Sequence, residues 1–124
     1  MKQNNALNLE NRLIEFASRI IDLVEALPKR PAPKHLGGQL LRSGTSPALN
    51  YGEAQSAESR EDFIHKMKIC QKELRETLIC LKIISLRGWF RTEKLALLLV
   101  ESNELVAIFV ASTRTASSKK SLPR

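Results

Sequence analysis

Residues 42–59 read RSGTSPALNYGEAQSAES, in the middle of a chain that is otherwise rich in leucine. The stretch holds two glycines, a proline, five Ser/Thr residues, an asparagine and two glutamates. Such a composition suits either a loop carrying an active site or a helix whose polar face meets something other than water. Projected at about 100° per residue, Leu36, Leu40, Gly44, Pro47, Tyr51 and Ala54 fall on one side, while Arg42, Ser46, Asn50 and Glu53 fall on the other. Two separated faces argue for a helix. Pro47 is the objection, because an interior proline removes one hydrogen bond, crowds the Ser43 carbonyl and costs ~3 kcal/mol. The reading therefore predicts a kinked but continuous helix, with a break at Thr45–Ser46 as the alternative.

Outward from this segment, three more helices follow from periodicity. Leu9, Leu13, Phe16, Ile20, Leu23 and Leu27 recur at steps of four and three, and Pro28 ends that pattern. Pro28-Lys-Arg-Pro-Ala-Pro33 then reads as a stiff, basic connection. Beyond the central stretch, Ser59 suits an N-cap with Asp62 three residues on. Phe63, Met67, Cys70, Leu74, Thr77, Leu81 and Ile84 make the next stripe, and Gly88 suits a terminating residue. A fourth stripe starts after Thr92 and runs through Leu95, Leu98/Leu99, Ser102, Leu105/Val106 and Phe109. Leu97, Val100 and Ile108 widen its apolar surface, which hints at a second neighbour and hence self-association. The chain is expected to be all-α, an antiparallel up-down four-helix bundle with helices near 8–27, 34–58, 60–87 and 92–114. Residues 1–114 form the domain and 115–124 a disordered basic tail. Trp89 and Phe90 are expected to pack over the bundle end.

At 124 residues one core is expected. The longest purely apolar run, Leu95–Val100, is too short to cross a bilayer. Met1-Lys-Gln-Asn-Asn5 opens no signal-peptide apolar region, so a cytoplasmic protein without a membrane partner is expected. Twenty Lys/Arg against thirteen Asp/Glu leave a net charge of +7. That excess favours an anionic partner, nucleic acid first. Aromatic residues are only 5%, poor supply for base stacking, so backbone and shape recognition is expected. Cys70 and Cys80 on one helix would stand about 15 Å apart, too far for a disulfide. His35 and His65 lack partners at zinc-ligand spacing. No metal or cofactor is expected, and no Gly-rich phosphate loop, HExxH or CxxC motif occurs in the chain.

Two motifs resemble a known family. Gln39-Leu-Leu-Arg-Ser43 is followed by Ser46, Asn50 and Glu53; Asp62-Phe63 leads into Lys72-Glu-Leu-Arg-Glu-Thr77. Together they resemble the four-helix-bundle family named for the 23S rRNA intervening-sequence protein, over roughly residues 9–110. The accessory variability determinant of diversity-generating retroelements is similar in fold. The resemblance implies a homopentameric barrel. Through the retroelement relative it also implies binding to nucleic acid and to a protein partner, a reverse transcriptase. It implies no activity.

Arg42, Ser46, Asn50 and Glu53 admit three readings: a solvated polar face, a hydrogen-bonding subunit interface, or a catalytic cluster. The resemblance raises the second. The third lacks a histidine or lysine base in register, so no catalytic residue is assigned. Lys68, Lys72, Arg75 and Lys82 share one face of the third helix and suit phosphates along a nucleic-acid backbone. Against this, Glu73 and Glu76 are close, and Lys72 can pair with Glu76 at i,i+4. Lys29, Arg30, Lys34, Arg114, Lys119, Lys120 and Arg124 add charge at helix ends and in the tail. The expected function is a non-enzymatic oligomeric scaffold that binds RNA or DNA by charge, together with a protein partner. The alternative is a protein–protein adaptor that binds no nucleic acid.

Overall fold

The computed structural model describes the backbone over residues 2–121 and side chains over 6–118. It contains α1 (Lys2–Ala26), α2 (Pro31–Gln55), α3 (Arg60–Arg87) and α4 (Glu93–Ser121), and no strand among the described residues. Short turns reverse the chain three times, giving an antiparallel up-down bundle. Each helix packs extensively on its neighbour in sequence, whereas α1 and α4 barely touch.

The helix boundaries follow from local chemistry. Ser59 Oγ accepts the Asp62 N–H at 3.0 Å and starts α3. At its far end Gly88 adopts φ 68°, the Gly88 N–H donates to Ser85 O and the Trp89 N–H donates to Ile84 O. These two bonds and the left-handed residue make a Schellman stop. A side chain at 88 would also collide with the Arg91 guanidinium. Thr92 Oγ1 accepts from the Lys94 N–H at 3.2 Å and opens α4.

α1 begins at Lys2 rather than near 8 and α2 ends at Gln55 rather than near 58, and two further boundaries differ from expectation. The connection containing Pro31 and Pro33 is the first turn of α2. A first-turn N–H has no intrahelical acceptor, so proline costs nothing there. α4 does not end near 114 but continues to Ser121. Within the last turns, Thr113 is buried, and its single hydroxyl proton has Phe109 O at 2.9 Å and Gln71 Oε1 on α3 at 2.7 Å as alternative acceptors. The tail thus lies on α4 as far as it is described; Leu122–Arg124, and the side chains of Lys119 and Lys120, fall outside the described residues.

α2 passes through Pro47 without a break. Gly44 is needed on the packed face, since a Cβ there would lie 2.8 Å from Ile20 Cγ2 of α1. A Cβ at Gly52, by contrast, would meet nothing within 4 Å. The core joins the expected stripes: Leu13, Phe16, Ile20 and Leu23 of α1, Leu40 and Tyr51 of α2, Cys70, Leu74, Leu81 and Ile84 of α3, Leu98, Leu105 and Phe109 of α4. Tyr51 meets Phe109 edge-on at 5.8 Å. Trp89 and Phe90 pack partly buried against one end of this core. By length and composition Glu93–Ser118 could cross a membrane. One stripe of it packs into the bundle through Leu98, Leu105 and Phe109, and Glu101 on its flank takes two hydrogen bonds from Arg12 of α1.

Candidate nucleic-acid interface

The residues of α3 divide by angle around its axis. Met67, Cys70, Leu74, Thr77, Leu81 and Ile84 enter the core. Glu73 and Glu76 lie on the flank toward α2. Lys68, Lys72, Arg75 and Lys82 point outward and are exposed. Sequence spacing alone leaves Glu76 free to pair with Lys72, but α2 intervenes. Arg42 Nη1 donates to Glu73 Oε2 at 2.6 Å and Arg42 Nη2 to Glu76 Oε2 at 2.8 Å. Glu73 is 5% exposed, so the paired arginine meets the need of a buried carboxylate. The Glu76 hydrogen bond, with Glu73 beside it, raises the Arg42 guanidinium still further above its ordinary pKa. Behind this pair, the Ser43 and Thr77 hydroxyls lie 2.9 Å apart in the core. Thr77 spends its proton on Glu73 O, so its oxygen accepts from Ser43.

The other members of the polar face on α2 are also engaged within the chain. Asn50 Nδ2 donates to Ser46 O at 3.1 Å and to Ser46 Oγ at 2.8 Å. Glu53 accepts from Lys66 Nζ at 2.6 Å, and this bond raises the Lys66 pKa. Arg42 and Glu53 thus tie α2 to α3, whereas Ser46 and Asn50 bond to each other within α2. Ser46 Oγ faces an amide donor, which cannot activate it as a nucleophile.

On the outer side, Lys68, Lys72 and Arg75 meet α4 across a shallow groove of about 570 Å³. Its wall includes Arg114, Thr113 and Ser117 from α4, and Gln71 from α3. Arg114 was legible only as a charge at the helix end; the packing of α4 on α3 brings it to the α3 cations. Lys82 lies on the same line, two turns beyond Arg75, and does not line the groove. None of Lys68, Lys72, Arg75, Lys82 or Arg114 enters the ion pairs formed among the described residues. No aromatic side chain lines the groove, which leaves phosphate contact as its chemistry.

This all-α architecture and its two motifs coincide with a family model. The model of the 23S rRNA-intervening sequence protein matches residues 5–111. The chain belongs to that family. A crystal structure of a protein with unknown function from the S23 ribosomal protein family of Bacteroides thetaiotaomicron is similar, at 31% identity and a TM-score of 0.77. The similarity covers 85% of this chain and 97% of the other. No protein of curated function matches.

In this 23S rRNA-intervening sequence family member, the cysteines are free and buried. Burial pushes the Cys70 thiol up to about 12 and also raises Cys80, which makes both inert at neutral pH. Cys70 Sγ donates weakly to Pro47 O at 3.5 Å. Among the described residues no group of three or more His, Cys, Asp or Glu side chains is placed to hold a metal.

Proposed function

We propose that the protein is a non-enzymatic cytoplasmic scaffold that self-associates and holds nucleic acid by its phosphates along the outer face of α3. The observation carrying this reading is the segregation of charge on α3. Both glutamates turn to Arg42, while Lys68, Lys72 and Arg75 join Arg114 around a groove with no carboxylate in its wall. Four such cations would give a salt slope of about −3.6 per subunit on duplex nucleic acid, at ~0.9 per phosphate contact. Lys82 extends the track toward the α3–α4 turn.

Self-association draws support from a different surface. Leu97 and Val100 of α4 remain 61% and 57% exposed, and Ile14 of α1 remains 52% exposed. A ring of five follows the family resemblance, as does a protein partner such as a reverse transcriptase. The same apolar surface also favours the second reading, a protein–protein adaptor whose charge is incidental.

A salt-dependent shift assay with Lys68→Glu, Lys72→Glu and Arg75→Glu combined separates the two. We expect the variant to keep its helicity and lose RNA binding. Unchanged affinity would remove the α3 face from the function. Light scattering at micromolar concentration should give a mass several times 14.0 kDa; a clean monomer would end the scaffold reading.

A further inference from the structure

We infer that Arg42 is a positioning residue for nucleic-acid binding: without touching the ligand, it keeps the α3 cations available by holding Glu76 and Glu73 on the α2 side. This rests on the phosphate-binding reading of α3 given above. The geometry that carries it is the fork of Arg42, with Glu73 Oε2 at 2.6 Å and Glu76 Oε2 at 2.8 Å on separate nitrogens.

Consider α3 with the fork removed. Glu76 stands one turn after Lys72, on the same helix and within reach at i,i+4. Half-exposed and no longer held, it would turn to Lys72 and neutralise a cation lining the groove. Glu73 differs, because it is buried toward α2 and lies away from the outward stripe. The two carboxylates thus have separate consequences: Glu73 demands a partner for stability, and Glu76 competes for a phosphate-binding lysine. One arginine answers both because its planar guanidinium presents two donors at a fixed separation, which a lysine cannot reproduce. The polar face of α2 therefore sets the charge of the outer face of α3.

The test uses the full chain and a 20-base-pair RNA duplex of arbitrary sequence. Arg42→Met with Glu73→Gln has the same net charge as the wild type and leaves no buried carboxylate stranded, but Glu76 is loose. Its binding should be about eightfold weaker at 0.1 M salt, the value of one phosphate contact relative to 1 M, with a slope shallower by ~0.9. Adding Glu76→Gln should restore wild-type affinity and slope. Circular dichroism confirms that both variants are helical. Wild-type binding by the double variant would overturn the assignment, since nothing then needs masking. Persistent weakness in the triple variant would also overturn it, by showing that Arg42 contacts the RNA directly. A wild-type chain that does not shift the duplex brings down the phosphate-binding reading and this assignment with it. Binding lost on reversing the α3 cations but indifferent to the Arg42 variants brings down this assignment alone.

Discussion

Between α2 and α3, polar groups are used in pairs: Ser43 with Thr77, Arg42 with Glu73 and Glu76, Glu53 with Lys66. Between α1 and α4, Arg12 spans the gap to Glu101 and Glu104, and large apolar side chains on both helices stay in water. A groove opens on either side of that arginine. One is lined by Leu9, Tyr51, Phe63 and Ile108, the other by Leu23, Phe90, Leu97 and Leu98. The difference shows that a bundle can be complete in its core and incomplete in its circumference. The α2–α3 seam has settled its polar groups within the chain. The α1–α4 seam has apolar area left over, and that is the surface another helix would cover.

The contrast is broken most directly by truncating one apolar residue on each side. Leu40 of α2 is fully buried, so Leu40→Ala should cost ~2–5 kcal/mol in urea unfolding. Leu97→Ala should cost less than ~0.5 kcal/mol in an isolated subunit, while shifting the mass distribution toward monomer on dilution. Equal losses in a monomeric chain would mean that the α1–α4 seam is already closed in solution. A smaller effect sharpens the account of close approach. Gly44→Ala should destabilise by ~1–3 kcal/mol through overpacking, because Ile20 approaches from Cγ2 and also from Cβ, at 3.2 Å, a backbone-anchored atom that cannot swing away. Gly52→Ala, with open space around it, should stabilise by about 0.5–1 kcal/mol as a plain helix-interior replacement. Thermal melts of the two variants should therefore move in opposite directions.

What could be read in advance follows the same division. α3 was legible from end to end because Ser59, the 3.6-residue stripe and Gly88 are all local signals. The start of α2 was misread because Pro31 and Pro33 look like a linker, although the first helical turn has no use for their missing N–H groups. The end of α4 was misread because the apolar stripe fades after Ala111 into Ser, Thr and basic residues, although the helix runs on to Ser121. At the candidate site the α3 cations were legible from angular position. The partner of Glu76 was not, since an i,i+4 rule sees one helix and Arg42 arrives from another. Arg114 was missed as a groove residue for the same reason: its neighbours belong to α3.

The smallest expected effect concerns Arg12, the polar link across the open seam. It holds Glu101 through two nitrogens, at 2.9 and 2.6 Å, and reaches Glu104 at 3.1 Å. The Glu101 hydrogen bond raises its pKa, so the guanidinium stays charged at any pH the fold survives. Its side chain is nonetheless 36% exposed, where screening keeps such pairs near 1 kcal/mol or below. Arg12→Met should therefore lower stability by ~1 kcal/mol at most, and by less in 1 M salt, where the screening length falls to ~3 Å. Without Arg12, Glu101 and Glu104 become like charges one turn apart, so adding Glu101→Gln should recover part of the loss. A loss of several kcal/mol would show that the ion pair, rather than the core behind it, holds α4 against α1. A loss that ignores salt would assign the contribution to the packed aliphatic stem of Arg12 instead of its charge.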